Sequence, residues 1–326
     1  MRTVRWWPMG KPTSDAPTFT GERFTVGEGG EMRIEHLHRY LWASCGSQAG
    51  EWLDAACGSG YGTFLIASSG NRTTGLDVDP ESVNLARETF RSAGENLEFS
   101  TGSVTALPFE RASFDTIISF ETIEHVDEPR LALAEFAKCL RADGRLLISS
   151  PNKATYSDHR PTENAFHRFE YYEAEFFDDV SKYFESVRLY GQWTFGSASL
   201  IAPLDQGAGW LSNAFWLNGA TEAVELDTAF EPRYFLAEAS NVALGDERTP
   251  SIAFDSFWTE SLETETRRLT NDIADLRNLL DREREKALAD IEAVRRDVSD
   301  LVRLNQSLEE RYALVRRELN RYVQSQ

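Results

Sequence analysis

Long apolar runs are absent from this sequence, and cysteine is scarce. No stretch approaches the roughly 18 apolar residues that a membrane-spanning helix needs. The first residues, MRTVRWWPMGKPTSD, lack the apolar core of a secretion signal. The three cysteines, Cys45, Cys57 and Cys139, form no CxxC pair. An odd cysteine count without a secretion signal predicts reduced thiols and a cytoplasmic protein. The lack of a long apolar run predicts that it has no transmembrane segment.

Positive charge is also in short supply. The chain has a net charge of −19. Residues 1–254 contain 37 acidic side chains against 21 basic ones, and the rest of the chain contains 16 against 13. A segment this acidic has no general electrostatic attraction to a phosphate backbone or to anionic lipid. We therefore expect no nucleic-acid partner.

Apolar, strand-like segments alternate with helical patterns between residues 50 and 152. Strands are predicted in EWLDAACG, TTGLDVD, LEFSTGS, FDTIISFE and RLLISSPN, and helices in YGTFLIAS, PESVNLARETFRSAG and RLALAEFAKCL. This alternation predicts a parallel sheet with helices on both faces. ESVRLYG and RYFLAEAS predict two further strands that close the sheet as an antiparallel pair. The fold class is therefore α/β, with a Rossmann-like, doubly wound, seven-stranded sheet, while the Trp- and Gly-rich residues 193–230 show no assignable pattern.

Glycine and proline are missing after Pro250. Apolar or aromatic residues recur there at Leu269, Ile273, Leu276, Leu280, Ala287, Ile291, Val294, Val298, Leu301, Leu308, Tyr312, Val315, Leu319 and Tyr322. The spacing, mostly three and four, is typical of a coiled coil, with one phase slip after Leu280 that fits a stutter. Asn305 falls at an a position, where a buried polar residue tends to set the register. We expect a C-terminal α-helical coiled coil over residues 255–326 that joins two or three copies and reaches roughly 90 Å, because a single solvated helix cannot bury this stripe.

A glycine-rich turn, DAACGSGYG, follows the first predicted strand at residues 54–62. Glycine lets the backbone pass close to a ligand, and Asp77, at the end of the second strand, could accept two ribose hydroxyls. The spacing DxxCGxGxG differs from GxGxxG and resembles motif I of class I S-adenosylmethionine-dependent methyltransferases. The segments GLDVD, ALPF, SFDTIISFETIEHV and LRADGRLLISSPN resemble further motifs of that superfamily, in the same order. The resemblance, close over residues 50–155, implies S-adenosylmethionine as the cofactor and a methyltransferase domain over residues 50–250.

The resemblance implies a role for each matching residue of the cofactor site. The residues around the methionine portion of the cofactor would be Asp54, Gly58, Ser59 and Gly60. Asp77 and Val78 would lie at the ribose and Phe120 near the sulfonium. Ser103 and Val104 would stand beside the adenine, where the family often has an acidic residue, so the expected carboxylate contact is missing or replaced by a hydroxyl. The alternative for the turn by itself is a structural glycine-rich loop.

Two acids and an imidazole follow the fourth strand, in FETIEHV. Residues i, i+3 and i+4 share a helical face, so Glu121, Glu124 and His125 could converge, and His167 lies on a later loop over the same sheet edge. ExxEH followed by HxFE resembles the metal-dependent 2′-O-methyltransferases of small RNAs, and quinone-biosynthesis O-methyltransferases share the ExxEH part. The resemblance implies a divalent ion on these four residues, Mg²⁺ before Mn²⁺, Co²⁺ or Zn²⁺. The alternative is a turn-capping pair and a hydrogen-bonded loop histidine.

A divalent ion at this edge would suit a hydroxyl acceptor. A sugar hydroxyl is a poor nucleophile near neutral pH, and coordination to a cation lowers its pKa and fixes its oxygen. Carbon and amine acceptors do not need this arrangement. We therefore expect O-methylation, with a nearby base that removes the proton. The catalytic candidates are His125, His38 and His36, and the choice among them stays open.

Residues 1–49 are predicted to form a lid or approach segment that includes the helical MRIEHLHRYLWA. GERF (residues 21–24) and EHxxRY resemble the opening of bacterial methyltransferases that modify surface polysaccharides. This resemblance implies that Arg39 and Tyr40 contact the cofactor carboxylate and that His36 or His38 faces the acceptor. The alternative is that these histidines are packed or solvated, and His159 is similarly undecided.

A methyltransferase head joined to a long coiled coil resembles the enzymes that terminate polymannose-type O-antigen chains. That resemblance implies a glycan acceptor, a homo-oligomer, and a glycosyltransferase or polymerase partner that could hold the protein peripherally at the inner membrane. There is no kinase-like segment, so the sugar hydroxyl would be methylated directly. Three alternatives remain: a small-molecule or nucleotide-sugar O-methyltransferase, an RNA 2′-O-methyltransferase, which the acidic charge disfavours, and an inactive scaffold, which the intact turn and Asp77 disfavour.

Overall fold

The computed structural model divides the chain into two compact units, Met1–Thr259 and Glu260–Gln326. The structure describes residues 31–45, 49–158, 164, 166–204, 214–218, 222–226, 231–246, 248–254 and 256–324. The predictions for GERF and for His159 fall outside these ranges.

Strands and helices alternate as the sequence predicted. The strands are β1 Glu51–Ala55, β2 Arg72–Asp77, β3 Leu97–Thr101, β4 Phe114–Ser119, β5 Leu140–Pro151, β6 Ser186–Phe195, β7 Ala198–Pro203, β8 Ala214–Asn218, β9 Glu222–Leu226, β10 Tyr234–Ser240 and β11 Ser251–Phe254. The helices are α1 Glu31–Ser44, α2 Tyr61–Ser68, α3 Pro80–Thr89, α4 Pro129–Cys139, α5 Lys153–Tyr156, α6 Glu173–Ser181 and α7 Ser256–Gln324, with a 3₁₀ turn at Ile123–His125.

The first unit is built on one mixed sheet with the strand order β11-β7-β6-β10-β5-β4-β1-β2-β3. Strands β1 to β5 are parallel to one another. Strand β10 runs antiparallel to both β5 and β6, which confirms the predicted closing pair. The order in which successive strands are added to the sheet reverses between β1 and β4, and such a switch point opens a crevice at the carboxyl ends of the strands.

The sheet has nine strands rather than the predicted seven. The two additional strands, β7 and β11, extend the edge beyond β6, and β7 lies in the segment that showed no assignable pattern. A two-residue turn, residues 196–197, joins β6 to β7. Phe195 pairs with Ala198 across this turn, and Gly196 has a φ of +57°. Glycine followed by a small polar residue is a common hairpin turn, so this Gly-Ser pair was the available sequence signal.

Helices cover both faces of the sheet because its central strands are apolar on both sides. On one face, α4 and α6 pack through residues such as Phe136 and Phe176. On the other, α1 and α2 pack through residues such as Trp42 and Leu65. Full burial of each such side chain contributes about 1.5–3 kcal/mol. Helix α1 thereby becomes part of the core, although the sequence had suggested a lid.

The long helix α7 confirms the helical character of the C-terminal segment. It has 69 residues, which corresponds to about 100 Å at the usual rise per residue. Its apolar stripe is exposed in the single chain; Leu276 and Leu301, for example, are 65% and 64% exposed. None of the described helices is both long enough and apolar enough to cross a membrane.

Candidate active site

The glycine-rich turn between β1 and α2 has a backbone shape that favours glycine. Gly58 and Gly60 have φ values of +52° and +79°, and α2 begins directly after Gly60. A Cβ at Gly60 would also lie only 2.7 Å from the ring of Phe99. Any other residue there would therefore be both strained and crowded. Ser59, between the two glycines, has a buried hydroxyl without a hydrogen-bond partner among the described residues.

Asp77 stands at the carboxyl end of β2, beside this turn. Its Oδ2 accepts the Gly58 amide at 2.8 Å, and its Oδ1 accepts the Asp79 amide at 2.9 Å. A carboxylate has about four acceptor positions, so the group can still accept two hydroxyls. Val78, the next residue, is 68% exposed. This geometry accommodates the predicted ribose contact.

Asp54 is buried and links three elements. Its Oδ1 accepts the Tyr40 hydroxyl at 3.2 Å, and its Oδ2 accepts the Thr63 hydroxyl at 2.6 Å. Burial raises the pKa of Asp54 to about 7, although the hydrogen bonds from Thr63 and Tyr40 act in the opposite direction. The Tyr40 ring packs edge-on against Phe120 at 5.3 Å. The predicted cofactor residues Asp54, Tyr40 and Phe120 therefore lie together.

Arg39 is completely buried in α1. Its Nε donates to Gln192 Oε1 and its Nη1 to Glu121 Oε1, both at 2.6 Å, and its guanidinium lies over the Tyr234 ring at 4.2 Å. Within the described part of the chain, Nη2 has no hydrogen-bond partner. One buried donor thus remains for a ligand such as the cofactor carboxylate.

The two histidines of α1 differ in their surroundings. His36 shares a 2.9 Å hydrogen bond with the Tyr61 hydroxyl, and burial lowers its pKa to about 4. His38 contacts Ser199 Oγ through Nδ1 and Ser251 Oγ through Nε2, each at 2.9 Å, and burial also lowers its pKa to about 4. Because both ring nitrogens of His38 bind serines of β7 and β11, the structure argues against its predicted catalytic role. His38 instead fastens α1 to the additional strands.

Ser103 and Val104 follow β3, near the predicted adenine position. The Ser103 hydroxyl lies 2.8 Å from the Thr105 hydroxyl and accepts the Thr105 amide at 3.2 Å. Val104 is partly buried against the core. The Ser103 hydroxyl, which stands where the family often has a carboxylate, therefore forms hydrogen bonds within its own turn.

The FETIEHV turn after β4 separates its two acids. Glu121 has a φ of +51°, and its carboxylate faces Arg39. Glu124 is completely buried one turn later, while His125 is exposed. Burial tends to raise the pKa of Glu121, but Arg39 and then the neighbouring imidazoles outweigh it and hold that pKa below its usual value.

Three of the four predicted metal ligands converge. Glu124, His125 and His167 each offer a ligand atom, and these atoms lie within 4.8 Å of one another. Glu121 is not in this group, so the predicted four-ligand set is reduced to three among the described residues. The reason is electrostatic, because the Arg39 guanidinium holds the Glu121 carboxylate.

The Glu124 carboxylate is the most unusual group in this cluster. Neither of its oxygens has a hydrogen-bond partner among the residues that the structure describes. Burial, and then the nearby Glu121 carboxylate, raise the pKa of Glu124 well above its usual value. A buried carboxyl without partners is costly, and a cation in contact with it removes that cost. The donor set of one carboxylate and two imidazoles fits a divalent ion.

The two imidazoles of the cluster are each held at Nδ1. His125 Nδ1 donates to the carbonyl oxygen of Phe166 at 3.1 Å. His167 Nδ1 lies 2.5 Å from Glu170 Oε1, and its ring stacks on Tyr156 with centroids 5.1 Å apart. Glu170 was not among the predicted site residues, although the HxFE pattern contains it three residues after His167.

Residues 53–148 match the family described as methyltransferase domain. This segment is therefore similar to class I S-adenosylmethionine-dependent methyltransferase domains. The matched segment runs from β1 through most of β5, so it includes the glycine-rich turn, Asp77 and FETIEHV. It includes neither Arg39 nor His167, which lie before and after it.

Two curated relatives show how far this similarity extends. A "Probable S-adenosylmethionine-dependent methyltransferase" of Mycolicibacterium smegmatis is 34% identical, over 51% of this chain and 66% of the relative. A ubiquinone biosynthesis O-methyltransferase of Xanthomonas euvesicatoria is 33% identical, over 27% of this chain and 37% of the relative. The chain thus spans less than two thirds of the length of either relative.

The chain is also similar to proteins of solved structure. The YcgJ protein of Bacillus subtilis is 20% identical, with a TM-score of 0.47, over 64% of this chain and 100% of that protein.

Proposed function

We propose that this protein is an S-adenosylmethionine-dependent O-methyltransferase assisted by a divalent ion on Glu124, His125 and His167. The observation that carries the proposal is the Glu124 carboxylate, buried without hydrogen-bond partners in the described residues and within 4.8 Å of both imidazoles. The chemistry such an ion supplies is to lower the pKa of a bound hydroxyl and to hold its oxygen in place.

The chain's own residues would bind and orient the cofactor. Asp77 would accept the ribose hydroxyls, and Nη2 of Arg39, which has no hydrogen-bond partner among the described residues, would donate to the cofactor carboxylate. Phe120 and Tyr40, which pack edge-on, would keep water from the sulfonium. His36 is neutral near neutral pH because burial lowers its pKa to about 4. It can therefore accept a proton, although only as a weak base.

The donor set also bears on the identity of the ion. Mg²⁺ prefers oxygen ligands, whereas two imidazoles with one carboxylate are typical of Zn²⁺ and other transition metals. With Glu121 held by Arg39, the remaining set favours Zn²⁺, Mn²⁺ or Co²⁺ over the Mg²⁺ that the sequence suggested.

We propose a glycan hydroxyl as the acceptor, with termination of O-antigen chain growth as its consequence and a glycosyltransferase or polymerase as a partner. The proposal rests on the resemblance of the N-terminal segment, and of a methyltransferase head joined to a long coiled coil, to such enzymes. The acidic balance of residues 1–254 supports an uncharged acceptor over RNA.

Helix α7 would bind a second copy of itself. A coiled coil buries the stripe that the single chain leaves exposed. Ile291 and Val298 fall at a positions, and Leu301 and Leu308 at d positions, a combination that favours two strands. Asn305, also at an a position, would then fix the register of a parallel dimer.

A second candidate is a small-molecule O-methyltransferase in which the tail only dimerises. The similarity to the ubiquinone biosynthesis O-methyltransferase of Xanthomonas favours it. A methyl-transfer assay with radiolabelled S-adenosylmethionine separates the candidates if it compares a mannose oligosaccharide, a free nucleotide sugar and a catechol. Transfer to the oligosaccharide that is lost in chelator supports the proposal, and transfer only to the catechol supports the second candidate. Full activity in chelator removes the ion from the mechanism.

A further inference from the structure

We propose that Glu170 is a positioning residue that holds His167 in the tautomer whose Nε2 is left to bind the ion. The inference rests on the metal-assisted function proposed above. Glu170 Oε1 lies 2.5 Å from His167 Nδ1, and the two side chains are only 8% and 6% exposed. The contact is therefore a buried one, made between a loop histidine and an acid three residues later.

The chemistry of the pair decides which nitrogen carries the proton. An ionised carboxylate can only accept hydrogen bonds, so Nδ1 of His167 must be the donor. The lone pair that a metal needs is then on Nε2. Carboxylates that accept from the second nitrogen of a metal-binding imidazole fix its tautomer in this way and make it a stronger ligand.

The surroundings of His167 leave Glu170 to select the ring orientation. The ring stacks on Tyr156 at 5.1 Å with an interplanar angle of 24°, and the His125 ring meets it edge-on at 5.0 Å. Turning the ring over about its long axis would preserve the stacking but would break the hydrogen bond to Glu170. The stacking thus sets the plane of the ring. The hydrogen bond to Glu170 sets the side on which Nδ1 lies.

Glu170 is not one of the converging ligands. The group within the described residues comprises Glu124, His125 and His167. Glu170 Oε2 is buried and has no hydrogen-bond partner in the described part of the chain. Glu121, Glu124 and Glu170 thus bring three buried or nearly buried carboxylates to one region, where Arg39 pairs with Glu121. An excess of negative charge of this kind favours a bound cation.

The tautomer can be read directly in the metal-free full-length protein. Long-range proton–nitrogen correlation spectra, recorded in mildly alkaline buffer on histidine-labelled protein, report the protonated nitrogen of each of the five histidines. We expect the His167 proton on Nδ1 in the wild type, and loss of that preference in Glu170→Ala. Glu170→Gln should keep it, because the amide oxygen still accepts. The control Glu173→Gln removes an exposed acid of α6 and should change nothing. An unchanged His167 signal in Glu170→Ala overturns the proposal.

Metal binding supplies the second readout. In calorimetric titrations with Mn²⁺ or Zn²⁺ alone, Glu170→Ala should bind about 10–100-fold more weakly than the wild type. If Glu124→Ala and His167→Ala lose affinity but Glu170→Ala does not, the positioning role is wrong and the metal site stands. If the wild type binds neither ion, the proposed metal assistance fails and the role of Glu170 fails with it. Should Glu170→Ala not fold, Glu170→Leu takes its place, because leucine keeps most of the bulk but cannot accept a hydrogen bond, and a metal affinity equal to wild type in this variant overturns the proposal.

Discussion

Arg39 Nη1 and Glu121 Oε1 meet at 2.6 Å in the protein interior, 82 residues apart in the chain. Arg39 belongs to α1, and Glu121 follows β4 in a left-handed backbone conformation with a φ of +51°. That conformation is uncommon outside glycine and is retained where the surroundings impose it. The ion pair therefore ties the N-terminal helix to the carboxyl edge of the sheet, and it also removes Glu121 from the candidate metal ligands.

Arg39→Gln should destabilise the first unit strongly. The substitution leaves the Glu121 carboxylate without its charge partner in a site where Arg39 is 0% and Glu121 19% exposed, which costs about 3–5 kcal/mol of unfolding free energy. Urea denaturation measures the change. The control Arg72→Gln affects an arginine that is 60% exposed and should shift the unfolding free energy by no more than about 0.5 kcal/mol. Equal effects of the two variants would contradict the structural role of the pair.

Glu124→Ala or His125→Ala should abolish methyl transfer and leave cofactor affinity nearly unchanged. Loss of metal assistance removes several kcal/mol of transition-state stabilisation, which lowers turnover by about 100-fold or more. Turnover is measured with saturating acceptor, and affinity by calorimetry with S-adenosylhomocysteine. Glu128→Ala, an exposed acid of the next turn, is the control. Normal turnover in either variant would show that the cluster has another purpose.

The stability of the first unit should fall as the pH drops, partly through His38. Burial lowers the pKa of His38 from 6.5 to about 4. Between these two pH values the imidazole is protonated in the unfolded chain but neutral in the folded chain. The contribution of neutral His38 to the free energy of unfolding is therefore complete above pH 6.5 and is lost as the pH falls through about 4. A difference of this size corresponds to at most roughly 3 kcal/mol. His38→Gln should flatten the pH dependence of urea unfolding between those values, and parallel curves for the two proteins would rule out this contribution.

Removal of residues after 255 should leave monomeric heads that still methylate. The Met1–Thr259 unit contains the sheet and the described candidate site residues, whereas the remainder is one helix with an exposed apolar stripe. Light scattering after gel filtration measures the mass, and the methyl-transfer assay measures activity. A matched full-length variant, Leu301→Lys with Leu308→Lys, should also be monomeric because it places charge at two d positions. Truncated heads that still assemble would locate the oligomer interface elsewhere.

Much of the site could be predicted because its residues lie at strand ends. Asp54 and Asp77 lie at the carboxyl ends of β1 and β2, Glu121 follows the end of β4, and parallel strands bring their carboxyl ends to one edge. The partners of these residues were less accessible. Gln192, which binds Arg39, and Ser199, which binds His38, come from β6 and β7 on the far side of the sheet, and no local pattern points to them.

Local sequence by itself determined the parallel half of the sheet, the glycine-rich turn and the continuous C-terminal helix. Each depends on apolar periodicity, on glycine or on the absence of helix breakers within a short window. The tertiary structure alone decided that Arg39 pairs with Glu121 and that His38 binds two serines. Both outcomes depend on which side chains share a buried volume, because an unpaired charge or donor is costly there. The residues that pair in this way are distant in the chain, so no short window of sequence contains both partners.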